Sequence, residues 1–70
     1  MDIQLNVNTW VADGMVKYLK KCGYDILVHA VNPGGDGIDS IVIHSRQNKK
    51  FLINQLKLAG FVKSQFMIVG

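Results

Sequence analysis

An α+β domain with the element order β-α-β-β-α-β is what this chain of 70 residues predicts, on three observations. The segment Leu19-Lys20-Lys21-Cys22-Gly23-Tyr24 returns as Leu56-Lys57-Leu58-Ala59-Gly60-Phe61, thirty-seven positions later. In each copy a leucine, a lysine, a small residue, glycine and an aromatic close a helical pattern and open an extended one. Alternating or β-branched runs occupy 3–7, 24–31, 38–44 and 61–69. A dense group of turn formers, Asn32-Pro33-Gly34-Gly35-Asp36-Gly37, separates the middle two. Two similar βαβ-like halves about a pseudo-two-fold axis account for all three.

Each element has a local cause. Ile3, Leu5 and Val7 alternate with Gln4, Asn6 and Asn8, the signature of a half-buried strand. Thr9 or Asn8 can cap the helix that follows, with Asp13 in its early turns. Val11, Met15, Tyr18, Leu19 and Cys22 form its apolar stripe, which places Cys22 in the core as a small hydrophobe. Gly14 costs the helix interior about 1 kcal/mol, as close packing against a neighbour would require. Gly23 is a natural residue just past the helix end, with Tyr24 folding back on the last turn.

The runs 24–31 and 38–44 then form a hairpin around a loop longer than two residues. A regular pleat puts Ile26, Val28 and Ala30 in the core with Ile41 and Ile43. Leu27, His29 and Val31 share the other face with Ser40, Val42 and His44. Ser45 caps the second helix, whose stripe is Leu52, Ile53, Leu56 and Ala59, and Gly60 ends it. Lys63 starts the last strand, 61–69, with Val62, Phe66 and Ile68 on one face.

This order is that of the ferredoxin-like plait, a four-stranded antiparallel sheet with both helices on one face. Right-handed crossovers place strands one and three at the centre and two and four at the edges. One domain, 1–70, accounts for the whole chain. The fold hosts enzymes, RNA binders, metal chaperones and regulatory modules, so function must come from the residues.

Bulk properties narrow the choice. A chain this short buries only about 60% of its unfolded surface, and its core supplies roughly 3–5 kcal/mol. Apolar residues are 49% of the chain, generous for so small a body, so a homodimer interface is expected to cover some of them. Cys22 is the single cysteine, which rules out an internal disulfide and the CxxC chemistry of metal chaperones. The start Met1-Asp2-Ile3-Gln4 has no basic leader, and no run approaches the ~20 apolar residues of a membrane span. A cytoplasmic protein without a membrane partner is expected, and so small a free-standing chain fits a phage or another mobile element.

The net charge is +3 and unevenly spread. There is no glutamate; the five acids are Asp2, Asp13, Asp25, Asp36 and Asp39, most of them at element starts or in the loop. Lys17, Lys20, Lys21, Arg46, Lys49, Lys50 and Lys57 lie on or beside the two helices. A basic helical side and a near-neutral sheet side follow.

The strongest local signal is His44-Ser45-Arg46-Gln47-Asn48-Lys49-Lys50. Cations at a helix start oppose its dipole, and an anion docked at Ser45 would reverse that conflict. Ser45, Arg46, Lys49 and Lys50, joined by Lys17, Lys20, Lys21 and Lys57, are therefore the candidate anion or partner-binding residues. Solvated helix faces carry lysines too, and no block of consecutive cations marks a nucleic-acid site. The central strands lack aromatics, which excludes base stacking of the RRM type.

His29 and His44 are expected as diagonal neighbours on the open sheet face, with no third ligand to complete a metal site. Neither a metal nor a cofactor is expected. The loop Asn32-Pro33-Gly34-Gly35-Asp36-Gly37 is similar to the asparagine-bearing hairpin of acylphosphatases, which share this topology. Those enzymes need an arginine after strand one, where this chain has Asn8-Thr9-Trp10. Trp10 either closes the end of the core or stands exposed as an interface aromatic. With Leu27, Val31 and Val42 it makes up the candidate interface residues.

These features favour a small non-enzymatic regulatory or inhibitory module that works by protein–protein contact with an acidic partner, as a homodimer. A nucleic-acid-binding protein using the basic helical face is the alternative, and an acylphosphatase-like enzyme a distant third.

Overall fold

The computed structural model describes residues 1–69. Along the chain come β1 (Asp2–Asn8), α1 (Thr9–Lys21), β2 (Asp25–Ala30), β3 (Ile38–His44), α2 (Lys49–Leu58), a 3-10 turn (Lys63–Gln65) and β4 (Phe66–Ile68). The sheet has the order β2-β3-β1-β4, with every neighbouring pair antiparallel. This is the α+β plait, with β1 and β3 at the centre. Ile3, Leu5, Val7, Ile41 and Ile43 point from one face of the central strands into a single cluster with Ala12, Leu19, Leu52, Leu56 and Phe61. Both helices therefore pack on that face, and the other is open.

The repeated hexapeptide is a repeated helix stop. Tyr24 N–H donates to Leu19 C=O and Gly23 N–H to Lys20 C=O, with Gly23 at φ 94°. Phe61 N–H donates to Leu56 C=O and Gly60 N–H to Lys57 C=O, with Gly60 at φ 98°. Each is a Schellman motif, which needs a residue in the left-handed region and an apolar contact after it. Glycine supplies the first; half-buried Tyr24 and buried Phe61 supply the second.

The helix starts differ from expectation at one end. Asn8 caps α1, accepting from Trp10 N–H at 3.0 Å. Ser45 does not cap α2; Asn48 does, accepting from Phe51 N–H at 2.8 Å. Ser45 is still tied to the sheet, its N–H donating to Met1 C=O and its C=O accepting from the Met1 ammonium. The helix begins only at Lys49, after a turn through Arg46 and Gln47. The Ser45 hydroxyl instead accepts from Gln47 N–H, forming that local turn.

Four further expectations fail for identifiable reasons. The buried side of α1 runs through Ala12 and Leu19, flanked by Met15 and Val16, so Val11, Tyr18 and Cys22 lie on an exposed flank. The stripe is thus rotated about the helix axis, with Ala12 in place of Val11 on the core side. Gly14 has nothing within 4 Å of the position a Cβ would take, so packing does not explain it. The last strand shortens to Phe66–Ile68 because Gln65 Oε1 accepts from Val62 N–H and the 3-10 turn takes Lys63 out of the ladder.

The fourth concerns β2. A β-bulge lies between Ile26 and Val28, so Ile26 pairs with Ile43 but Val28 pairs with Val42, and His29 with Ile41. One extra residue reverses the alternation. Val28 and Ala30 move to the open face, and His29 turns to the core side. His29 and His44 thus lie on opposite faces, and the expected diagonal pair does not exist.

Candidate functional site

At 100° per residue, α1 turns Trp10, Gly14, Lys17 and Lys21 directly away from Leu19 and the core. On α2 the same spacing turns Lys50, Asn54 and Lys57 outward, with Leu58 beside them. Trp10 and Leu58 are 83% and 82% exposed, among the most exposed large apolar side chains of the chain. Phe51, Val11 and Tyr18 are exposed on the helix flanks. The helical layer thus offers large apolar groups interleaved with lysines, and Asp13 is its one acid.

Among the described residues the side-chain contacts to carboxylates at salt-bridge distance are His29–Asp39 and His44–Asp2. Among the described residues no lysine, nor Arg46, is paired with a carboxylate. Two of the five aspartates are held by histidines, which leaves the lysine field largely uncompensated. Exposed cations repel one another weakly in water, so the cost is small and a negative partner would remove it.

The expected anion site is divided. Lys49, Lys50 and Lys57 border one open groove of about 430 Å³ with Ile53 and Asn54. Ser45 and Arg46 border another, of about 350 Å³, with Cys22, Asp25 and His44. Ser45 is buried, and Lys17, Lys20 and Lys21 are spread along α1. Of the candidate interface residues, Trp10 lies on the helical layer, Leu27 at the bulge, Val31 just beyond β2, and Val42 on the open face. They form no single patch, though exposed Leu27, Val28 and Val31 follow one another along the β2 edge.

The cluster that the sequence reading missed centres on Asp39, whose side chain is 2% exposed on the core side of β3. Its Oδ1 accepts from the Thr9 hydroxyl and from Asn32 N–H at 3.0 Å, and its Oδ2 meets His29 Nε2 at 2.7 Å. The Thr9 hydrogen bond above all, then His29 and the Asn32 amide, hold the carboxyl below its ordinary range, against burial, which pushes it up. Asn32, at φ 48°, accepts from Gly37 N–H at 2.6 Å, and Thr9 N–H donates to Gly37 C=O. Asp39 therefore ties the hairpin loop to the start of α1. Core positions of β3 alternate Asp39, Ile41, Ile43, so an aspartate in phase with two isoleucines was the available signal.

Thr9 and His29 both bond the carboxylate and not each other, so the threonine hydroxyl is not paired with the imidazole as a nucleophile is with its base in a triad. The arrangement anchors a loop. Among the described residues no group of three histidine, cysteine or acidic side chains could hold a metal ion. No helix there is long and apolar enough to cross a membrane. Compared with known proteins, the chain matches no family model, no curated protein and no solved structure.

Proposed function

We propose that this chain is a non-enzymatic regulatory or inhibitory module whose helical layer docks on an acidic protein. The observation that carries this reading is Trp10 and Leu58, almost fully exposed, within a field of unpaired lysines. Interface energy concentrates in buried aromatic and apolar anchors, and rim charges steer association. Gly14 supports the same reading. It weakens α1 without serving packing, and it leaves bare backbone beside Trp10 and Lys17. Self-association belongs to this reading as well, through the apolar β2 edge at Leu27, Val28 and Val31, although the bulge limits how far two such edges can pair.

Affinity capture with three tagged proteins tests the docking surface: wild type, Trp10→Ala with Leu58→Ala, and Lys49→Ala with Lys50→Ala. The wild type should retain an acidic protein. The apolar pair should abolish retention, and the lysine pair should weaken it and reduce its salt dependence. Recovery of nucleic acid, seen in the absorbance ratio at 260 and 280 nm and released steeply by salt, would instead establish the alternative reading. Light scattering tests self-association, since Leu27→Lys should convert a dimer to a monomer.

A further inference from the structure

The open face of the sheet carries a cavity of about 690 Å³ beneath the hairpin loop. Gln4, Asn6 and Asn8 along β1, Ser40 opposite Asn6, and Gln65 from the 3-10 turn line it, with Pro33 and Asp36 as part of the loop wall. Asparagine is disfavoured within strands, yet Asn6 lies inside a central one. None of the chain's eight cations lines the cavity.

The amides are fixed by internal hydrogen bonds. Asn6 Oδ1 accepts from Gln4 Nε2, Asn8 Oδ1 from Trp10 N–H, and Gln65 Oε1 from Val62 N–H. Three carbonyl ends are thus occupied. Among the described residues none of the NH2 groups of Asn6, Asn8 and Gln65 donates to a protein acceptor. The lining carries no positive charge; its charges are Asp36 on the loop wall and Asp39, whose carboxylate is already engaged by Thr9, Asn32 and His29. Such a lining favours neutral acceptors over phosphates. The wall is also held in place, since Asn32 at the loop's start and Asp39 at its end are bound together.

We propose that this cavity is a second binding site, which takes an uncharged peptide segment in extended conformation through its main-chain carbonyl groups. Residues two apart on a strand recur every ~6.7 Å, and so do carbonyls on one side of an extended peptide. The donors of Asn6 and Asn8 therefore match successive carbonyls of a peptide lying along β1. The site is separate from the helical layer, so either can fail without the other.

The probe is acetyl-(Val-Ser)3-amide, titrated into 15N-labelled protein while the side-chain NH2 signals are followed. Wild type should show saturable shifts of the Asn6, Asn8 and Gln65 NH2 signals. Asn6→Thr, which suits a strand better, should bind about tenfold or more weakly. Its own amide spectrum shows whether it is folded, and Gln4→Thr provides a second variant. Unmoved signals at millimolar peptide would overturn the proposal, as would equal binding by folded Asn6→Thr. Shifts of the same signals by maltotriose but not by the peptide would also overturn it, and would identify a saccharide site.

Discussion

Asp39 is the residue whose environment departs furthest from what its type prefers. A buried carboxylate is tolerable only when its acceptor capacity is filled, and Thr9, Asn32 and His29 fill it. Because its pKa is lowered in the folded state, the stability it contributes is complete above the unfolded aspartate value, near ~3.9, and is lost as pH falls through the folded one. Acid unfolding followed by circular dichroism should therefore show a step below pH ~3.9 that Thr9→Val shifts to higher pH. An unchanged acid limb in Thr9→Val would remove Asp39 as its source. Gly14 makes the opposite case, a residue the fold does not need. Gly14→Ala should raise stability by about 1 kcal/mol, a Tm gain of roughly 4–8 °C, while impairing capture of the partner. A variant that is stabilised and binds normally would leave the bare backbone without a function.

At the scale of elements, the boundaries follow hydrogen-bonding chemistry more closely than apolar patterning. Asn48 and Ser45 are both good caps by composition; Asn48 Oδ1 accepts from Phe51 N–H, whereas the Ser45 hydroxyl is taken up by Gln47 N–H in a turn before the helix. Asn48→Ala should cost α2 about 1 kcal/mol. Ser45→Ala should leave the helical signal of α2 intact, and a larger loss there would restore Ser45 as the cap. The two glycine stops were legible in the sequence because their chemistry is local. Gly23→Ala and Gly60→Ala should each destabilise by about 1–2 kcal/mol, the penalty of a left-handed residue with a Cβ, measurable in urea unfolding. The bulge in β2 was not legible. Ile26-Leu27-Val28 is apolar throughout and suits either face, so alternation within it carries no register. That single ambiguity misplaced His29, and with it the Asp39 cluster.

Taken whole, the molecule divides its surfaces by chemistry. Order, centre and edges of the sheet could be read from the repeat, since two βαβ halves with right-handed crossovers admit few arrangements. The basic helical side could be read from lysine positions. That Trp10 stands outside the core could not, because its exposure depends on the rotation of α1 about Ala12. Once rotated, α1 aligns Trp10 with Lys17 and Lys21, and α2 sets Leu58 beside Lys50 and Lys57. On the proposed function, an acidic protein docks on this helical layer. Amide hydrogen exchange on the purified complex of this chain with its captured partner tests it most directly. Protection should appear along Thr9–Lys21 and Lys49–Leu58 and leave the outer edge of β2 as in the free protein. Protection confined to β2 and the open sheet face, with both helices exchanging as before, would overturn the proposed docking surface.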